Sequence, residues 1–218
     1  MPDHVSRETP LAPDIARGVF AAALPAAERY AQLLATEGVD RGLLGPREAP
    51  RLWERHLINC ALLGDAIPNG ADVCDVGTGA GLPGVVLALC RPDLALTLVE
   101  PSLRRTTFLD EIVVALRLSN VEVIRARAEE LHGRRRFSIV TSRALAPLAR
   151  LLQWSMPLVS AGGALVAMKG SSVHQEIGSA SEALRRYRAA SVTVVELGAE
   201  ILDPPTTVLR VETRRAEA

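Results

Sequence analysis

Apolar positions divide the chain into two regimes. Up to about Leu63 they recur at helical intervals; from Asp72 onward short apolar runs of strand length alternate with longer amphipathic stretches. The first regime predicts one helical stretch from Asp14 to about Leu44, broken or restarted at Pro25, and a turn at Gly42–Pro46. A second helical stretch runs from Glu48 to about Leu63, where Leu52, His56, Asn59 and Leu63 share one face and Arg51 and Arg55 mark another. This predicts a helix capping a sheet, with Trp53 as a packing anchor. The second regime predicts strands near 72–76, 94–99, 121–125, 137–142 and 163–168, and helices near 82–90, 102–117, 147–158 and 171–188. Two further alternations, Val192–Leu197 and Thr207–Glu212, are joined only by a loop and read as an antiparallel edge hairpin. The expected fold is therefore α/β: a mostly parallel, Rossmann-like seven-stranded sheet with that hairpin at its edge, plus a small N-terminal helical region. The expected division is a loose arm over 1–13, the helical region over 14–66 and the α/β domain over 67–218.

The most informative stretch is Ala71–Gly84, where a short apolar run from Val73 to Val76 breaks into glycines at 77, 79, 81 and 84 and an apolar helix follows. Strand, glycine-rich turn and helix let backbone approach a nucleotide closely. Glu100, at the end of the next apolar run, is placed to accept hydrogen bonds from both hydroxyls of a ribose. An adenosine-containing cofactor is expected. Two cofactors satisfy the residues. Gly79-x-Gly81-x-x-Gly84 with Glu100 fits the dinucleotide fingerprint. Asp75-x-Gly77-Thr78-Gly79-x-Gly81 also spells the loop of class I S-adenosylmethionine methyltransferases, which wants an acid just before the turn. A dinucleotide enzyme would need a further catalytic domain, and no room remains for one, so the balance moves to the methyltransferase.

In such a sheet the ligand lies across the carboxyl ends of the strands. The residues expected there are Gly77–Gly81, then Glu100, Ser102, Arg104 and Arg105, then Arg125 to Glu130, then Arg143, and finally Lys169. A backbone amide and a carboxylate in the third group can bracket an adenine ring. Arg143, at the tip of the fourth strand, faces the reacting centre or RNA, with a salt bridge to an acid such as Glu129 as the plain alternative. Arg104, Arg105, Arg125 and Lys169 are candidate phosphate contacts. Arg134–Arg136 reads as a solvated loop and His174 as unremarkable surface.

Composition narrows the field. Of the 25 basic residues 24 are arginine, the single lysine being Lys169, and the net charge is zero, so any RNA site has to be a local patch. Cys60, Cys74 and Cys90 lie in apolar runs and read as reduced thiols rather than a disulfide or a metal cluster. The polar start and short apolar runs lead to the expectation of a cytoplasmic protein with no membrane partner and no metal, acting as a monomer. No Pro-Cys pair stands at the fourth strand, so covalent attack on a pyrimidine lacks its nucleophile. Asp203-Pro204-Pro205 mimics the core of amino-methylating enzymes, but no aromatic follows it and the hairpin is expected to hold it far from the fourth strand. Guanine N7 needs neither device: its lone pair is nucleophilic and no proton leaves, so positioning and electrostatics suffice.

Leu-Trp-Glu-Arg-His-Leu-Ile-Asn, Asp-Val-Gly-Thr-Gly-Ala-Gly-Leu-Pro-Gly, Arg-Ala-Glu-Glu, Ser-Arg-Ala and Met-Lys-Gly, in that order, resemble the glucose-inhibited division protein B family. Its members methylate guanine N7 at position 527 of 16S ribosomal RNA. The resemblance implies that Gly77, Leu82, Ala128, Glu129 and Arg143 contact S-adenosylmethionine, and that Arg127 and His56 stand near the cofactor or RNA. The chain departs from the family at Gly42–Gly45, which bears on substrate contacts. Two other classes stay open: a methyltransferase of small molecules or proteins, and a non-enzymatic nucleotide-binding module.

Overall fold

In the computed structural model, which describes residues 10–143 and 145–215, seven strands form one sheet. Strands β1 (Asp72–Val76), β2 (Ala95–Val99), β3 (Val121–Ile124), β4 (Phe137–Arg143) and β5 (Val159–Met168) run parallel. Strand β7 (Thr206–Thr213) runs antiparallel to both β5 and the edge strand β6 (Ala189–Leu197). The order β3-β2-β1-β4-β5-β7-β6 reverses direction between β1 and β4, which opens a crevice at their carboxyl ends.

Alternation along each buried strand feeds two cores. Val73, Leu96, Leu98 and Val166 face one side; Cys74, Val76, Val140 and Leu165 face the other, under the helices Leu148–Ser155, Val173–Ser179 and Ser181–Arg186. The first core is shared with the N-terminal region. Phe20, at the end of α1 (Asp14–Phe20), Tyr30 in α2 (Leu24–Leu33), and Leu52 and Leu57 belong to the same cluster as the sheet and α4 (Gly84–Cys90). The helical region is thus continuous with the α/β unit rather than packed as a separate body. Tyr30 makes the link specific: fully buried, it donates its hydroxyl to the carbonyl of Ala80 in the glycine loop at 2.8 Å.

The expected break at Pro25 is an Ala21–Ala23 turn, and the proline occupies the first turn of the helix that follows, where its missing N–H costs nothing. Trp53 is an anchor as expected, 3% exposed and edge-on to Phe20 at 5.8 Å. Its indole N–H reaches the carbonyl of Pro10 at 2.9 Å, so the last part of the expected arm is tied down. Residues 1–9 of that arm lie outside the described residues. The second helical stretch differs in kind: Leu52–Ile58 is a π-helix, and ordinary α-helix resumes only at α3 (Asn59–Leu62). Such wide turns are rare and recur at functional sites.

Candidate active site

The cradle begins where β1 ends. Gly77, Gly79 and Gly81 all have positive φ, so the chain folds back over the end of β2, with Gly77 N and Thr78 N both donating to the carbonyl of Val99. At Gly77 a Cβ would also lie 2.5 Å from Leu145 Cδ1. Asp75 is fully buried and accepts from the N–H of Gly84 at 2.8 Å through Oδ2. Burial raises its pKa to about 6, against the influence of the Thr78 hydroxyl and that N–H. Thr78 acts by proximity, since Asp75 Oδ1 and Thr78 Oγ1 close no hydrogen bond with each other or with any other described residue.

Glu100 knits the cradle together. Its carboxylate takes the N–H of Ser102 on Oε1 at 3.0 Å, and on Oε2 the N–H of Gly79 at 3.2 Å and Arg105 Nη1 at 3.3 Å. Oε1 keeps acceptor capacity for a ribose hydroxyl. Beside it lies a slot of about 290 Å³ lined by Val76, Gly77, Val99, Ala128, Glu129 and Leu145, mostly apolar with one acidic residue among its walls. Arg127 and the stacked pair Arg150–Trp154 form its rim, the guanidinium 5.1 Å from the ring centroid. An adenosine fits this arrangement: a mostly apolar slot, glycine backbone at Gly77 on its wall, and a buried carboxylate nearby whose Oε1 accepts only one hydrogen bond within the protein.

Leu145 also walls a second, open cavity of about 830 Å³ at the ends of β4 and β5. Arg143, His56, Glu48, Arg55, Asn59 and Lys169 line it. Arg143 Nη1 donates to His56 Nδ1 at 2.8 Å and reaches the carbonyl of Arg55 at 3.4 Å. The plain alternative, a salt bridge from Arg143 to Glu129, is absent from the ion pairs of the described residues. His56 is 5% exposed, and burial with the Arg143 charge lowers its pKa to about 4, so it is neutral at physiological pH.

Several expectations need correction. Lys169 does not stand free for phosphate: its side chain, 8% exposed, pairs with Glu176 and donates to the carbonyl of Ala146. His56 offers RNA little surface, since both ring nitrogens are engaged within the protein. Leu82 turns into the core, leaving only its backbone for a cofactor. Arg105 is bound to Glu100, while Arg104 and Arg125 are exposed and line neither the slot nor the cavity. Arg127 belongs to the slot and Arg143 to the cavity, with Leu145 lining both. The Asp203–Pro205 loop is not remote either, because an antiparallel strand starts where its parallel neighbour ends. It precedes β7 at the carboxyl edge of β5 and walls a groove with Arg55, Asn59 and Lys169. Ala144 of the Ser-Arg-Ala motif lies outside the described residues.

Sequence reasoning missed Glu48, Asn59, Leu145, Arg150 and Trp154. Arg150 and Trp154 sit four apart on a predicted helix, a spacing that marks side-chain neighbours. For Leu145 the sequence carries no comparable mark.

A seven-stranded sheet with an antiparallel β6–β7 edge, a glycine cradle after β1 and a carboxylate after β2 defines a class I methyltransferase, whose cofactor is S-adenosylmethionine. Within that class the chain belongs to the rRNA small subunit methyltransferase G family, whose model matches residues 23–203. A protein of Nocardioides sp. named ribosomal RNA small subunit methyltransferase G is 63% identical over 212 residues, covering 97% of this chain and 85% of its own. One of the same name from Thermobifida fusca is 57% identical, over 91% of this chain and 84% of its own. Among solved structures, an S-adenosylmethionine-dependent O-methyltransferase from Thermotoga maritima matches with a TM-score of 0.57 over 73% of this chain and 66% of its own. At 10% identity that likeness shows the fold.

Proposed function

We propose that this methyltransferase modifies N7 of a guanine in 16S ribosomal RNA, the base at position 527 to which the family resemblance points. The observation that carries the reading is the pair of spaces meeting at Leu145, an adenosine-sized slot and an open cavity holding Arg143. When bound, S-adenosylmethionine supplies an electrophilic methyl group on a sulfonium. The chain's part is to hold and orient. Gly77, Thr78, Gly79 and Gly81 offer backbone, Glu100 with Ser102 takes the ribose, and Ala128 with Glu129 brackets the adenine. Arg143 holds the nucleobase in the cavity by its carbonyl oxygen, leaving the N7 lone pair free. No general base is required, because N7 carries no proton. Arg127, Arg104 and Arg125 are exposed and supply phosphate contacts on the flanking strand. The reading needs neither a metal nor a second copy of the chain, and places the enzyme with its ribosomal substrate in the cytoplasm. Among the described residues no helix is long and apolar enough to cross a membrane.

The test is transfer of labelled methyl from S-adenosylmethionine to small subunits of a strain lacking this gene, followed by location of the label. Label at one guanine N7 of 16S RNA supports the reading. Cofactor binding without transfer to RNA leaves the fold in place and removes the substrate.

A further inference from the structure

The π-helix of the N-terminal region lends Arg55 and His56 to the cavity, and the contact that His56 makes there with Arg143 has a fixed polarity. Arginine has donors and no acceptor, so the nitrogen facing Arg143 Nη1 at 2.8 Å, His56 Nδ1, carries no proton. The proton of the neutral ring is then on Nε2, which donates to Glu48 Oε2 at 2.9 Å. Glu48 is itself steadied by Arg55 Nε at 3.2 Å. On the other side, Nη1 also reaches the carbonyl of Arg55, so both of its hydrogens point back into the protein. Three N–H groups, on Nη2 and Nε, make no hydrogen bond among the described residues.

We propose that His56, oriented by Glu48, is a positioning residue that aims the free edge of the Arg143 guanidinium at the carbonyl oxygen of the bound guanine. The proposal rests on the reading of Arg143 given above. It explains why the contact runs through an imidazole and not through a carboxylate touching the arginine directly. An acid there would hold the guanidinium bidentately and turn its fork inward. A neutral acceptor takes one hydrogen and leaves the rest to face the cavity. It also adds no second cation beside a base that becomes positively charged on N7 methylation. The negative charge of Glu48 balances Arg143 from one residue further back.

The test compares His56→Ala, His56→Asn and His56→Gln, with kcat and KM measured on small subunits, cofactor Kd by calorimetry and folding by thermal melt. Asparagine carries an acceptor where Nδ1 stood; glutamine places its amide where Nε2 stood. His56→Ala is expected to lower kcat about tenfold with cofactor Kd changed less than twofold. His56→Asn is expected to recover at least a third of wild-type kcat, and His56→Gln to stay near the alanine value. Equal activity of the asparagine and glutamine variants, whether high or low, overturns the proposal, and this comparison stands even if the alanine variant does not fold. Nitrogen-15 NMR of the histidine rings provides an independent check: a proton on Nδ1 of His56 also overturns it. An inactive wild-type enzyme in the same assay would sink the RNA reading instead, which keeps the two failures distinct.

Discussion

Gly77 and Leu145 lie in contact across the entrance to the adenosine slot, so close that a Cβ on the glycine would meet Leu145 Cδ1 at 2.5 Å. Gly77 also has φ +69°, a conformation costly for any other residue. Gly77→Ala should therefore weaken cofactor binding about tenfold or more, as read by calorimetry. The clash and the strain are separable. Adding Leu145→Ala removes the clash, since the offending atom ends a flexible side chain, but leaves the backbone strain. The double variant should recover part of the lost affinity; full recovery would show that φ contributes nothing.

Arg143 lines the cavity and not the slot, so its loss should act on turnover more than on the cofactor. Arg143→Ala is expected to lower kcat about 10²-fold while the Kd for S-adenosylmethionine moves less than threefold. Arg143→Lys should restore little, because an ammonium cannot give two inward hydrogen bonds and a planar outward fork. A Kd that rises in step with the loss of kcat would place the arginine on the cofactor instead.

How far the sequence reveals this site depends on how far apart its parts lie along the chain. The cradle is local: Asp75, the glycines and Glu100 are read from one strand–turn–helix–strand unit, and in the structure Asp75 and Glu100 each accept an N–H of that glycine turn. The Arg143–His56 contact joins residues 87 apart, across two regions that the hydrophobic pattern separates. The π-helix that delivers His56 has the same apolar spacing as an α-helix over so short a run, so periodicity could not distinguish them. The place of the Asp203 loop is not legible in the segment, because the pairing partner of β7, and hence the edge at which it starts, is a property of the sheet. The pairing of Lys169 is hidden from the sequence because Glu176, seven residues on, lies in a separate element.

Trp53 offers a stability test remote from the chemistry. It is buried against Phe20 and holds Pro10 through its indole N–H. Trp53→Ala should cost about 3–5 kcal/mol, seen as a melting point lower by about 6–20 °C. Trp53→Phe keeps an aromatic ring and loses the hydrogen bond, so its cost should be nearer 1 kcal/mol. Equal effects would mean that the Pro10 contact, and not the packing, carries the stabilisation.

The exposure of Arg104, Arg125 and Arg127 makes the RNA reading testable with salt. If Arg104, Arg125 and Arg127 contact phosphates, each neutralised phosphate adds about 0.7–0.9 to the slope of log affinity against log salt. Replacing Arg104 or Arg125, which line neither the slot nor the cavity, by alanine should flatten that slope by about one contact while leaving kcat at saturating substrate unchanged. A wild-type KM indifferent to salt would favour a small-molecule or protein substrate.

Asp75 gives the enzyme a pH dependence whose sign can be worked out. Its carboxyl is buried without a cation bound to it, and its pKa stands at about 6 where 3.8 is ordinary. The folded state therefore binds the proton more tightly than the unfolded chain, and stability falls as pH rises from about 4 to about 6. Above that range the ionised group destabilises the cofactor-free protein by up to about 3 kcal/mol, a ceiling set by the full shift. Asp75→Asn keeps an acceptor for the Gly84 N–H and removes the charge. The variant should melt several degrees above wild type at pH 8, and the difference should vanish near pH 4. Glu176 and Glu212, whose pKa values are lowered by Lys169 and Arg210, push the wild type the other way, but they are common to both proteins and cancel in the difference. The same charge should favour a cationic cofactor, so the stabler variant should bind S-adenosylmethionine more weakly at pH 8. A variant that melts higher and binds equally well would show that the carboxylate serves neither the fold nor the cofactor.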